Sequence, residues 1–241
     1  LIKSTDRALD DHIFHQISGV VSSQVVLAHL RKATQGQKTI LNSHPFQYGN
    51  WVFAHNGNLK GFKDYKKNLA NLIHEDLQRF ILGSTDSEII FYLLLTQIKK
   101  RHCLSKPDIV LSDLKDAIKE TCDLITGFSG ALCGDEKPDP AENHLTFIIS
   151  TGKVMAALNG GQPLLYSTHK KLCSERDTCP HFAAICESPV KQQDMINHLV
   201  FSSEKLLGEN IWQELSPGEM VAVDNKMKFL KFSLDLDFVK N

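Results

Sequence analysis

The sequence predicts an α+β domain, and three observations predict it. Helical periodicity is confined to the middle of the chain, over residues 62–73, 85–101 and 109–125. After Gly127 the pattern changes to short apolar or β-branched runs separated by Gly, Asn, Asp or Pro. No Gly/Ser-rich linker and no internal repeat divides the chain, so helices and mostly antiparallel strands are assigned to one domain over residues 1–241.

The elements follow in order. Residues 24–30 (QVVLAHL) are β-branched and apolar, which suits a buried strand. Residues 51–55 (WVFAH) form a second strand, ended by the turn dipeptide Asn56-Gly57. Residues 62–73 make a short helix. The clearest helix opens at Thr85, where threonine as N-cap and Glu88 three residues on make a capping box, with Asp86 in the first turn. Its apolar residues go nearly all round, which predicts a buried helix, and Lys99-Lys100-Arg101 suits its C-terminus. Pro107 breaks the chain before helical spacing resumes over 109–125. Strands are expected over 128–133, 145–150, 153–158, 163–167, 182–186, 199–202 and 220–223, with surface excursions at 136–142 and 170–180.

Bulk properties exclude several function classes. The formal net charge of −1 carries no electrostatic footprint for nucleic acid or an anionic membrane. No run of eighteen apolar residues exists to span a bilayer. The six cysteines are scattered in a chain large enough not to need disulfides, and read as reduced thiols of a cytoplasmic protein.

The chemistry is concentrated in residues 29–88. Arg31 follows an apolar run and precedes Thr34; a guanidinium there can grip a carboxylate through two parallel hydrogen bonds, and the hydroxyl can add a third. Asn56 and Gly57 can supply a side-chain amide and a backbone N–H converging on an oxyanion, although Asn-Gly is more commonly an ordinary hairpin turn. Asp86 can accept from an ammonium group or simply complement the helix dipole. His29, His44 and His55 have no metal-ligand spacing, and His169, Cys173, Cys179, His181 and Cys186 contain no CxxC or HxxxH pair, so no metal is assigned. Each signal taken singly favours the ordinary structural explanation. Their combination does not.

Four elements carry a resemblance: HLRKAT, NSHPF, AHNGNL and STDSE occur in the order and at the intervals of the class II glutamine amidotransferases. The chain is most similar to the compact YafJ-like proteins and the ergothioneine-pathway amidohydrolase, and its C-terminal FSSEKLLGENIWQELSPGE resembles the closing region of that branch. The resemblance implies the four-layer αββα sandwich of N-terminal nucleophile hydrolases. It implies that Arg31 and Thr34 bind the α-carboxylate of a glutamyl substrate and Asp86 its α-ammonium. It implies further that Asn56 and Gly57 form the oxyanion hole and that His44 and His55 support the site. It implies no cofactor, a glutamine or γ-glutamyl small molecule as ligand, and a separate synthase or peptidase subunit as a candidate partner.

The family's nucleophile is a cysteine that opens the chain, and here the first cysteine is Cys103. The expectation is therefore an N-terminally truncated domain that lacks its nucleophile and first strand: an amidohydrolase when intact, and inactive as this fragment. The alternative is a non-catalytic glutamyl-binding or regulatory subunit. A histidine-based metallohydrolase is a weaker third.

Overall fold

The computed structural model describes residues 1–30, 37–135, 139–190 and 194–240. The chain opens with the short helix α1 (His12–Ser18), followed by β1 (Phe46–Tyr48) and β2 (Trp51–Asn58). The central helices are α2 (Phe62–Asn71), α3 (Glu75–Gln78), α4 (Asp86–Lys99) and α5 (Leu111–Ser129). Strands then take over: β3 (Leu132–Cys133), β4 (His144–Ser150), β5 (Met155–Leu158), β6 (Leu165–Ser167) and β7 (Val200–Ser202). The last four are β8 (Gln213–Glu214), β9 (Glu219–Val223), β10 (Phe229–Ser233) and β11 (Phe238–Val239). Among the described residues no helix is long and apolar enough to cross a membrane.

The main sheet has the order β1-β2-β4-β5-β9-β10, antiparallel throughout. Both of its faces are buried, as the alternation along single strands records. Met220 and Ala222 join Phe53, Phe147, Ile149 and the helices in one cluster. Val221 and Val223, their neighbours in sequence, pack with Ala157, Leu164, Tyr166 and Leu215 on the opposite side. That second layer is built on the small sheet β7-β6-β8. The two-residue strands β11 and β3 pair in parallel. The architecture is the expected α+β one, with helices α2, α4 and α5 grouped on one face of an antiparallel sheet.

The two long helices form for the reasons legible in the sequence. α4 is buried at every residue from Asp86 to Ile98, and its body from Ile89 to Leu95 is accordingly apolar all round. α5 instead buries a stripe, Leu111, Leu114, Ala117, Ile118, Thr121, Cys122 and Ile125, at helical spacing. It ends at Gly130, whose φ of 82° only glycine adopts readily.

Four local expectations are corrected. Residues 24–30 form no strand: Val25, Leu27 and His29 are partly covered while Val26 and Leu30 stand 63% and 79% exposed. The chain thus lies with one side on the protein, but among the described residues no ladder partner runs beside it, and β-propensity without a partner makes no strand. Residues 128–133 split between the last turn of α5 and β3. Residues 182–186 give a 3-10 turn at Ala184–Cys186, because two alanines favour no pleated surface and Cys186 N–H turns back to Ala183 O. Asn56-Gly57 is not a turn. β2 continues through it to Asn58, with Asn56 opposite Thr146 and Gly57 opposite Leu145 on β4.

Candidate active site

β2 sorts its motif residues by face. Strand alternation sends Trp51, Phe53, His55 and Gly57 towards the helices and Ala54 and Asn56 to the other side. Asn56 is exposed there, paired across the ladder with Thr146. The hydroxyl of Thr146 accepts N–H groups of Gly160 and Gln162, each at 2.9 Å, and donates to Gln162 O at 2.9 Å, which fixes the neighbouring turn.

His55 points the other way and is 3% exposed. Its Nε2 lies 3.0 Å from the carbonyl oxygen of His144 on β4, and its Nδ1 lies 3.0 Å from Ser87 Oγ in the first turn of α4. Burial lowers its affinity for a second proton, opposed by the nearby Asp86 carboxylate. Gly57 makes this arrangement possible. A Cβ at position 57 would stand 2.2 Å from His144 O and 2.3 Å from His55 Nε2, in the space the hydrogen bond occupies.

Asp86 is 4% exposed. One carboxylate oxygen, Oδ2, accepts the N–H of Leu59 at 3.0 Å, just beyond the end of β2; the other, Oδ1, accepts the N–H of Ser87 at 2.7 Å. A carboxylate has about four lone-pair directions, so two backbone bonds leave it able to accept more. The Tyr65 hydroxyl, which donates to Lys60 O, is pushed up to about 12, by burial first and by the Asp86 charge second. Thr85 caps α4 by accepting the Glu88 N–H at 3.3 Å, as expected. Glu88 does not complete the reciprocal capping box. Its carboxylate reaches back to Leu82 and Gly83, accepting their N–H groups at 3.0 and 2.7 Å. Burial raises the pKa of Glu88, and these two bonds together with Lys3 and Lys66 work against that rise.

The remaining motifs join here through His44 and through Asn42 and Ser84, to which the sequence assigned no role. Asn42, of NSHPF, accepts the Ser84 N–H at 2.8 Å and donates to Gln37 O at 2.8 Å and Ser84 Oγ at 3.2 Å. Gly83 is required beside it, since a Cβ would meet Asn42 Oδ1 at 2.6 Å and Leu41 O at 2.9 Å. His44 is buried, its ring 4.3 Å from that of His29 and 4.9 Å from Phe46. The first motif is thereby held against the second, although Arg31 and Thr34 lie outside the described residues. His144 was missed outright; its only signal is its place opposite Asn58 at the start of β4. Asn42→Ala is expected to lower stability by about 1–2 kcal/mol, because it removes the hydrogen bonds that the buried Asn42 amide makes to the Ser84 N–H, Ser84 Oγ and Gln37 O; urea denaturation midpoints measure this, and a cost within error of zero would refute the bridging role.

Among the described residues no group of three His, Cys, Asp or Glu side chains is placed to hold a metal ion. In the 169–186 region Cys173 Sγ takes a contact from Lys170 Nζ at 3.7 Å and Cys186 Sγ one from Asn197 Nδ2 at 3.0 Å.

The site is thus a buried acidic turn locked against the end of a glycine-bearing strand on an antiparallel sheet. The structure superposes with a TM-score of 0.63 on a glutamine aminotransferase class-II domain protein from Silicibacter pomeroyi, over 99% of this chain and 85% of that one at 21% identity. The fold is therefore the N-terminal nucleophile hydrolase type that the motifs implied. Residues 12–132, half of the chain, match the family model of the class-II glutamine amidotransferases, and the chain belongs to that family. Among its relatives, the probable glutamine amidotransferase DUG3 of Saccharomyces cerevisiae is 37% identical over 100 residues, 42% of this chain and 28% of that protein. The putative glutamine amidotransferase YafJ of Escherichia coli is 35% identical over 86 residues, 34% of this chain and 30% of that protein. The matched part thus spans less than a third of the length of either relative.

Proposed function

We propose that this domain binds the glutamyl group of glutamine or of a γ-glutamyl compound and, with an N-terminal cysteine, cleaves its side-chain amide. The observation that carries this reading is Asp86: a buried carboxylate with spare acceptor capacity, anchored to Leu59 immediately after the strand that bears Asn56 and Gly57. In this reading Asp86 receives the α-ammonium, while Arg31 and Thr34 receive the α-carboxylate. The cysteine thiolate attacks the side-chain carbonyl, and Asn56 and Gly57 stabilise the tetrahedral oxyanion, a contribution worth roughly 3 kcal/mol per donor. Collapse expels ammonia or an amine and leaves a γ-glutamyl thioester, which water hydrolyses. The cysteine's own α-amino group carries the proton to the leaving group. His44 and His55 support the site from beneath, and no cofactor takes part. The six cysteines are all free thiols, which suits the cytoplasm, and a separate synthase or peptidase subunit is a candidate partner for the released group.

A second reading is a glutamyl-binding regulatory subunit. It is supported by the same anchored Asp86 carboxylate, which would hold a glutamyl group with or without turnover. One experiment separates the two. The full-length protein is treated with an electrophilic glutamine analogue and its intact mass measured, alongside calorimetric titration with L-glutamate. One adduct on an N-terminal cysteine, with glutaminase or γ-glutamyl hydrolase turnover, is the expected result. Binding of L-glutamate with neither adduct nor turnover would establish the regulatory reading. No binding at all would refute both.

A further inference from the structure

The environment of His55 is more informative than that of a supporting core histidine. A carbonyl oxygen can only accept, so the contact of Nε2 with His144 O at 3.0 Å places the ring proton on Nε2. Nδ1 of the neutral ring is then an acceptor, and the Ser87 hydroxyl at 3.0 Å must donate to it. That hydroxyl has a second acceptor within reach, Asp86 Oδ1 at 3.3 Å, but it has only one proton. The two acceptors compete for it, and the shorter contact is to the histidine.

We infer that His55 is a positioning residue for Asp86: by accepting the Ser87 hydroxyl hydrogen bond at Nδ1, it keeps that donor from turning onto Asp86 Oδ1. This rests on the proposed role of Asp86 as the acceptor of the substrate ammonium. Oδ1 already accepts the Ser87 N–H at 2.7 Å and Oδ2 the Leu59 N–H at 3.0 Å. A third internal donor would take a further lone pair and neutralise part of the charge that should meet the ligand. His55 thus holds the serine hydroxyl as its hydrogen-bond donor, and the carboxylate stays open. Gly57 has its place in the same device. A Cβ there would displace the Nε2–H···O=C bond that fixes the tautomer, and with the tautomer goes the direction of the Ser87 proton.

The test has two independent readouts on the full-length protein. In the first, histidine is labelled with nitrogen-15 and the ring resonances of His55 are assigned. An Nε2-protonated ring with an accepting Nδ1 is expected; an Nδ1-protonated ring overturns the inference whatever the ligand. In the second, L-glutamate and glutarate, which lacks the ammonium, are titrated calorimetrically into wild type, His55→Phe and the double variant His55→Phe/Ser87→Ala. His55→Phe frees the hydroxyl to turn onto Asp86, so L-glutamate should bind about tenfold more weakly while glutarate is unaffected. Deleting the hydroxyl as well should restore L-glutamate binding to within about twofold of wild type. A double variant as weak as His55→Phe, or an equal loss for glutarate, would mean that His55 merely packs the core and would overturn the inference. Equal affinity of the wild type for both acids would overturn the Asp86 assignment itself, a result the tautomer measurement does not touch.

Discussion

Gly57→Ala should cost the fold about 3 kcal/mol or more, although it adds a single methyl group. The added Cβ falls 2.2 Å from the carbonyl oxygen of His144, a backbone atom of a neighbouring strand that cannot swing aside. Relief requires either separating β2 from β4 at Gly57–Leu145 or expelling the His55 ring from its bond to that carbonyl. Both lose buried hydrogen bonds in addition to the steric cost. The control is the adjacent residue. Asn56 is exposed on the opposite face, and Asn56→Ala should leave stability within about 0.5 kcal/mol of wild type. In the active protein it should nonetheless lower turnover by about a hundredfold or more, the usual effect of losing an oxyanion donor. Denaturant midpoints and glutaminase rates for the pair test this. A Gly57→Ala protein as stable as wild type would contradict the geometry of the strand.

Asp86→Ala should be as damaging by a different route. It removes the acceptor of two backbone N–H groups, those of Leu59 and Ser87, in a region where Leu59 is fully buried. Each orphaned donor costs about 1–3 kcal/mol, so a total loss of roughly 2–4 kcal/mol is expected. Asp86→Asn separates structure from function. Its amide oxygen still serves one of the two N–H groups, so it should unfold at a denaturant concentration between those of wild type and the alanine variant. Its charge is gone, however, and L-glutamate should bind between tenfold and a hundredfold more weakly, roughly the value of one charge-assisted hydrogen bond, with glutarate unchanged. Asp86→Asn retaining wild-type affinity for L-glutamate would confine Asp86 to a structural role.

What could be read from the sequence was what is encoded locally. α4 was legible because its cap, first-turn acid and all-round apolar character lie within a single stretch of chain. α5 was legible because its buried stripe repeats at helical spacing. The failures share a cause, which is a partner distant in sequence. Asn56-Gly57 has the composition of a turn, but the ladder to β4 runs on to Asn58 and overrides the dipeptide's preference. The apolar run at 24–30 has the composition of a strand, but nothing is aligned to pair with it among the described residues. The site follows the same division. Four motifs announced the family, and the match over residues 12–132 agrees with them. The bonds that assemble them, Asn42 to Ser84 and His55 to His144, join residues far apart in sequence, and no local pattern marks them. Arg31 and Thr34, the proposed carboxylate grip, rest on the motif alone.

The burial of α4 has a consequence for how such a site can change. Its acidic turn is the tip of a rod embedded along its whole length, from Asp86 to Ile98. That turn cannot loosen by fraying, as helix ends commonly do, because any opening there draws on the free energy of the entire core. Rigidity at the acidic tip is therefore inherited from the core rather than tuned locally. Under the proposed assignment, diversification within such a scaffold is channelled outward: new leaving groups would be accommodated by remodelling exposed connections, while the acidic tip stays tied to the core.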